Sequence, residues 1–304
     1  MKLVNSVVSP MVALKISIVV PSFNQVRWLR GCIESILSQN YANLELIVMD
    51  GGSTDGSVEI IESYADRISY WQSQPDGGQY CAIEDGLNRA TGEVLGWLNA
   101  DDLYLPWTLR TIASVFSQLP EVEWLTSNSP MITSAGGIAF AGGICRVVSK
   151  DAFLDGLYVP GASNSLGVIV QEGTFWRRSL WERTMPRFTT VAPLAGDFEL
   201  WSRFFKTADI HNLALPLAAM TRHREQRSNA AENYREEAKR VLCDCRKEEW
   251  RSPWRAGLAR FGFPRRTLRG LTRRICAYQV NAVEPVYDSQ GYFERWRIKT
   301  LAVW

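Results

Sequence analysis

Two neighbouring carboxylates, Asp101 and Asp102, follow a hydrophobic run at residues 93–99 and precede Leu103-Tyr104-Leu105-Pro106. Adjacent carboxylates at the end of a strand repel each other unless something positive stands between or near them. A hard divalent cation with oxygen ligands, itself bound to phosphates, relieves that repulsion. The same dipeptide also suits a turn whose Asp caps the helix that Pro106 would open. Asp50 closes a second hydrophobic run at 44–50, and Asp197 stands just before an amphipathic stretch at 198–205, where an N-cap is the local reading. No G-x-G-x-x-G follows Val20 and the chain contains no Gly-Lys pair, which argues against a NAD-type dinucleotide site and against a P-loop.

The elements that must position these groups alternate. Nearly continuous apolar runs at 15–21, 44–50, 68–72 and 93–99 read as strands buried on both faces. Stretches with helical spacing of apolar residues lie between and after them, at 26–39, 57–64, 79–90 and 106–119. Such alternation predicts parallel βαβ units. Ligands of these sheets bind at the carboxyl ends of the strands. Three polar loops fall there: Pro21-Ser22-Phe23-Asn24, the run from Asp50 to Asp55, and Asn99-Ala100-Asp101-Asp102. Geometry alone therefore gathers Asp50, Asp101 and Asp102 in one crevice. Beyond 121 the rhythm loosens. Residues 134–170 read as loops and short strands, 171–176 as a further strand and 198–205 as a helix. From 229 the chain reads as helical and charged.

The chain has 304 residues, 46% hydrophobic and 22% charged, which excludes disordered, collagen-like and coiled-coil classes. A net charge of +2 excludes a bulk-charge nucleic-acid binder. Six sparse cysteines, at 32, 81, 145, 243, 245 and 276, read as reduced thiols. No apolar run approaches the ~18 residues of a membrane span, and the apolar N-terminal stretch ends in Pro-Ser-Phe-Asn rather than a small-residue cleavage site. The expected location is cytoplasmic.

The segments SIVVPSFNQVRWLRGCIESILSQNYANLELIVMDGGSTDGS and QPDGGQYCAIEDGLNRATGEVLGWLNADDLYLP resemble the nucleotide-binding half of glycosyltransferase family 2, inverting transferases of the GT-A fold that use nucleotide-diphosphate sugars. The resemblance continues through QEGTFWRRSLWER, GDFELWSRF and TRHREQRS and covers residues 15–228. It implies an α/β, mostly parallel sheet flanked by helices, with a nucleotide-sugar half at 15–120 and an acceptor half at 121–228. Residues 1–14 are left as an N-terminal arm and 229–304 as a helical, basic and aromatic C-terminal extension. By resemblance, Pro21, Ser22, Asn24, Asp50 and Asp76 line the nucleotide. Asp101 holds a divalent metal, Mn²⁺ or Mg²⁺, with Asp102 beside it, and His223 closes over metal and diphosphate. Asp197 is the general base that takes the proton of the acceptor hydroxyl. Glu172, Glu199 and Trp201 are candidate acceptor contacts; Glu172 equally suits a pairing with Arg177 or Arg178, Glu199 a structural place, and Trp201 is more often core than a sugar-stacking platform. Two positions depart from the family pattern: its first motif Asp is Asn99 here, and its second Asp after Asp50 is Gly51.

The implied reaction is transfer of a sugar from a nucleotide-diphosphate donor, with a UDP-sugar favoured, to a glycan or lipid-linked glycan in surface polysaccharide or lipopolysaccharide assembly. Positioned base catalysis and a metal on the departing diphosphate suffice for a single displacement. Two other classes stay open at this stage: a non-catalytic nucleotide-sugar or glycan-binding protein on the same fold, and a nucleotidyltransferase. The latter would carry a Gly-rich, basic loop after the first strand, and Pro21-Ser22-Phe23-Asn24 is not one. From Arg246 to Tyr278 ten Lys or Arg stand against two Glu, interleaved with Trp250, Trp254, Phe261 and Phe263. That composition suits a segment lying on the inner face of an anionic membrane, or an extension packed on protein. No nucleic-acid partner is expected.

Overall fold

A computed structural model describes residues 14–129, 131–134, 137–140, 147–162, 165–188, 192–223, 226, 231–248 and 278–303. The chain opens with β1 (Ile16–Ser22), α1 (Leu29–Leu37), β2 (Leu44–Asp50), α2 (Ser57–Glu62), β3 (Tyr70–Ser73), α3 (Gln79–Arg89) and β4 (Val94–Trp97). All seven residues of β1 are buried, as the unbroken apolar run requires of a central strand. β1 pairs in parallel with β2 on one side and β4 on the other, and β2 with β3. The expected order of alternating strands and helices is present, with most boundaries displaced by one to three residues.

The second half is less regular. It contains β5 (Leu103–Tyr104), α4 (Thr108–Gln118), β6 (Trp124–Ser127), β7 (Met131–Ser134), β8 (Gly137–Phe140), α5 (Lys150–Leu154), β9 (Thr174–Arg177), α6 (Arg178–Arg183), α7 (Gly196–Thr207), β10 (Ile210–Leu213) and β11 (Ala218–Thr221). β9 inserts antiparallel between β4 and β6. The strand expected over 171–176 begins only at Thr174. Gln171–Gly173 is a 3₁₀ turn, because the Gln171 side chain turns inward and donates to the Trp97 carbonyl at 2.7 Å. Among the described residues the main sheet has nine strands, in the order β13-β12-β10-β6-β9-β4-β1-β2-β3, and a small sheet has the order β5-β11-β7-β8.

Helices cover both faces of the large sheet. One core joins Ile33 and Ile36 of α1, Ile60 and Ile61 of α2, and Leu109, Ile112 and Val115 of α4 to Ile16, Ile18 and Val20 of β1. The other is aromatic: Trp201 of α7 stacks between Trp97 and Trp124, with centroids 5.7 and 5.5 Å away. α3, α5, α6 and α7 pack on it.

The C-terminal extension corrects an expectation. It is helical in α8 (Ala231–Glu248), but β12 (Tyr278–Tyr287) and β13 (Phe293–Val303) form an antiparallel hairpin. β12 runs parallel to β10, so the hairpin extends the main sheet. Asn212 ties the join: its Oδ1 accepts from Val148 N, and its Nδ2 donates to the carbonyls of Val148 and Asn281. α8 contributes Ala238, Val241 and Leu242 to the aromatic core. Its far end is fastened where Arg246 Nε donates to the Leu154 carbonyl, and β12 begins where the Tyr278 hydroxyl donates to Asp155. The membrane reading of 246–278 falls mostly on 249–277, outside the described residues. No helix among the described residues is long and apolar enough to cross a membrane.

Candidate active site

The ends of β1 and β2 form the first wall. Asp50, the last residue of β2, is 1% exposed and its carboxylate is fully engaged by its own loop. Oδ2 accepts from Gly52 N, Ser53 N and the Ser73 hydroxyl, and Oδ1 from the Ser53 hydroxyl. A carboxylate has about four acceptor sites. Asp50 therefore shapes the loop, and little of it remains to contact a ligand directly. Asn24, at φ 52°, donates its backbone N–H to Ser53 Oγ and accepts from Thr54 N, which clamps the first loop to the second. Pro21 is buried beneath it. The Ser22 hydroxyl is buried and has no hydrogen-bond partner among the described residues.

The same wall explains the departure at Gly51. A Cβ there would stand 3.1 Å from Asp76 Oδ2 and 3.2 Å from the Phe23 ring, closer than ordinary van der Waals contact. The Asp76 carboxylate and the exposed Phe23 ring occupy the space that a second Asp side chain would need. Asp76 is also held by Gly78 N, which donates to its Oδ1 at 2.7 Å.

The loop after β4 carries the acidic pair. Asn99 is a hub: its Nδ2 donates to Asp102 Oδ2 and Gln171 Oε1, and its Oδ1 accepts from Gln79 Nε2. An Asp at 99 offers no donor for Asp102 or Gln171, so the neutral residue is what this network requires. The two carboxylates diverge. Asp102 is 2% exposed, accepts from Thr221 N at 2.9 Å, and turns toward the buried Glu172. Burial, then Glu172 and Asp101, raise the Asp102 carboxyl well above its ordinary range. Burial pushes Glu172 up to about 7 against opposing hydrogen bonds, one of them with Asp102, and the charges of Asp101 and Asp197 add to the rise. The pair thus holds a proton between pH 5 and 7, and that proton relieves the repulsion. The expectation that Asp102 flanks a metal is corrected: it faces into the protein.

Asp101 faces the other way. Its Oδ2 lies 2.9 Å from His223 Nε2, and the His223 ring stacks on Trp28. The join between residues so far apart in sequence comes from the small sheet. β5, which starts two residues after Asp101, pairs with β11, which ends two residues before His223.

Across the crevice stands Asp197. It is the second residue of α7 rather than the residue before the helix, and the N-cap position is Ala195. Its Oδ1 accepts from Phe198 N at 2.8 Å and from the Tyr234 hydroxyl at 2.9 Å, with the Tyr80 hydroxyl at 3.4 Å. All three of these bonds fall on Oδ1, and the residue's own backbone N–H is a further donor to the carboxylate. Burial raises this carboxyl above the usual aspartate value, while these donors pull it down. Gly196 lets the Tyr80 ring lie across the start of α7, since a Cβ there would come within 2.7 Å of the ring. The amides ahead of the helix are capped from outside: Glu237 of α8 accepts from Leu194 N and Ala195 N. Consecutive residues of α3 therefore reach both sides of the crevice, Gln79 to Asn99 and Tyr80 to Asp197.

Two of the candidate acceptor contacts take their structural alternative. Trp201 is 1% exposed and belongs to the aromatic stack. Glu199 is buried and pairs with Arg203 one turn on. Glu172 is buried as the partner of Asp102, and this has a consequence for stability. Between pH ~4.5 and ~7 the folded state keeps a proton that the unfolded chain releases, so stability falls as pH rises through that window. Glu172→Gln keeps a donor for Asp102 without a charge. The variant should exceed the native protein by about 2–3 kcal/mol at pH 8, and the gain should vanish at pH 4.5, read from guanidinium unfolding. An equal gain at both pH values would refute the shared proton.

Gln79, Tyr80, Gln171, Tyr234 and Glu237 escaped the sequence reading. Tyr80 carries the apolar spacing of a core-facing position, and Tyr234 and Glu237 lie in a charged stretch whose pattern names no partner.

Residues 17–125 match the family described as glycosyl transferase family 2. A Rickettsia felis protein named as a glycosyltransferase is 25% identical over 232 residues, which cover 73% of this chain and 36% of that protein. The chain thus spans about a third of the length of the first curated relatives it matches. Staphylococcus aureus TarS in complex with UDP-GlcNAc superposes with a TM-score of 0.58 at 15% identity, covering 84% of this chain and 75% of that one. Mannosyl-3-phosphoglycerate synthase from Rubrobacter xylanophilus gives 0.54 at 16% identity, covering 95% and 85%. These likenesses establish the GT-A fold.

Proposed function

We propose that this chain, whose residues 17–125 form a glycosyl transferase family 2 domain, moves a sugar from a nucleoside-diphosphate donor to a saccharide hydroxyl by a single displacement with inversion. The observation that carries the reading is the start of α3. Gln79 and Tyr80 hold the Asp101 loop and Asp197 from one helix end, so a group for the departing diphosphate and a group for the attacking hydroxyl share one crevice.

In this reading the acceptor oxygen bonds to the anomeric carbon as the bond from that carbon to the diphosphate breaks. The proton of the hydroxyl passes to Asp197 Oδ2, and the electron pair leaves with the diphosphate. The helix start and the two tyrosines fix Asp197 for that transfer. Asp101 and His223 suit a divalent cation: a carboxylate oxygen and an imidazole nitrogen meet at one point on the crevice wall, a donor set that fits Mn²⁺. Two protein ligands leave positions for diphosphate oxygens and water. Bound there, the ion would neutralise charge on the leaving group. Ser22, with its buried unpartnered hydroxyl, together with Asp76, Asn24 and the exposed Phe23 ring, forms the nucleoside wall. An orphaned buried hydroxyl of this kind fits a ligand atom.

TarS, whose structure holds UDP-GlcNAc, supports a uridine donor through the shared fold. The acceptor we favour is a glycan or lipid-linked glycan, in surface polysaccharide assembly on the cytoplasmic side. The test is release of nucleoside diphosphate from a panel of nucleotide sugars, with and without Mn²⁺. Metal-dependent release from one donor is expected. No release, together with no metal-dependent nucleotide binding by calorimetry, would overturn the reading in favour of a non-catalytic protein.

A further inference from the structure

The carboxylate assigned as base depends on a helix outside the family-matched residues. Tyr234 and Glu237 are neighbours on one face of α8, three residues apart. The Tyr234 hydroxyl donates to Asp197 Oδ1, and the Glu237 carboxylate takes the two amides that lead into α7. Glu237 is buried and Tyr234 half-buried, and α8 is anchored at both ends. Arg235 donates to the Pro160 carbonyl near its start, and Arg246 to the Leu154 carbonyl near its finish. Between them, Ala238, Val241 and Leu242 enter the aromatic core. Such a helix has little freedom to move relative to α7.

We infer that α8 is a positioning device for the transfer step, in which the Tyr234 hydroxyl occupies Oδ1 of Asp197 and so reserves Oδ2 for the proton of the acceptor hydroxyl. The inference rests on Asp197 being the base. Tyr234 is a positioning residue and touches no substrate. A carboxylate free to rotate presents either oxygen in any direction. One pinned through Oδ1 by the Phe198 amide and a phenol presents a single oxygen along a single line, the condition for proton transfer in a near-attack geometry. Tyr80 is the lesser holder, because its hydroxyl sits closer to the Leu194 carbonyl, at 3.1 Å, than to Asp197 at 3.4 Å.

The titratable groups around Asp197 are Tyr80 from α3 and Tyr234 from α8, which bond it, and Glu172 from the turn before β9, which feels its charge; Glu237 of α8 acts on Tyr234. Of these, Tyr234 gives the shorter of the two side-chain hydrogen bonds. Removing its donor disfavours the carboxylate form, so the proton affinity of Asp197 rises.

Tyr234→Phe in the full chain keeps the ring and deletes the hydroxyl. Its kcat should fall about tenfold with the donor KM unchanged, and the acidic limb of its pH–kcat profile should move up by about half to one pH unit. A ¹³C-carboxyl NMR titration of Asp197, identified by its loss in Asp197→Asn, should show the same upward shift without any acceptor present. Tyr80→Phe should show the smaller change in both readouts. An unmoved Asp197 titration in Tyr234→Phe would overturn the inference. A purely structural role would lower kcat, if at all, with no shift in either pH readout. If instead Asp197→Asn keeps its turnover, the base assignment fails and this inference falls with it. Inactive Asp197→Asn beside native-like Tyr234→Phe condemns the inference alone.

Discussion

Asp197→Asn is expected to lose about 10²–10⁴-fold in kcat while binding the nucleotide sugar with native affinity. The substitution keeps the shape, the acceptor at Oδ1 and the packing under Tyr80 and Tyr234, and it removes only the oxygen that can take a proton. The measurement is acceptor-dependent turnover beside calorimetric binding of the donor. A variant that keeps more than about a tenth of native turnover would end the base assignment. The pH profile gives an independent check. Burial raises Asp197 above the ordinary aspartate value, so its working, deprotonated form is lost as pH falls through that raised value. The native enzyme should therefore fail on the acid side earlier than an exposed aspartate would cause.

Asp101→Ala should lower kcat/KM by about 10²–10³-fold, because it removes the carboxylate that would hold the divalent cation against the departing diphosphate. His223→Ala should be milder, about tenfold, and should recover as Mn²⁺ concentration is raised, since one carboxylate ligand remains. Excess metal should not rescue Asp101→Ala. Turnover that ignores chelation in the native protein, or equal rescue of both variants, would separate the Asp101–His223 pair from metal binding.

Much of this arrangement is legible before any coordinates. β1 and β2 appear as unbroken apolar runs because both their faces are covered, and the loops at their carboxyl ends follow from parallel topology. His223 and Asp101 are paired in the reading through the family resemblance, but their physical junction is a strand pairing two residues long, too short for any periodicity to reveal. Trp201 shows how neighbours decide between two readings of one residue type. A tryptophan near a sugar site suggests a stacking platform, whereas Leu200, Phe204 and Phe205 around it on α7 make it core. The hairpin has a signal in the sequence. In β13, Arg295, Arg297 and Lys299 alternate with Trp296 and Ile298, a period of two that belongs to a strand and not to a helix. The cluster of Arg upstream drew the whole extension into one helical reading. Tyr234 and Glu237 had no such signal, because their partners belong to α7 and only folding brings those within reach.

The two fastenings on α5 bear on how this protein can be re-engineered. Arg246 holds the carbonyl of Leu154 and Tyr278 holds the side chain of Asp155, so the chain departs from the body and rejoins it at adjacent residues. The stretch 249–277, outside the described residues, is thus bracketed by two anchors on neighbouring residues of the body. Trimming the chain at residue 228 would strip β10 of its neighbour and leave a bare strand edge.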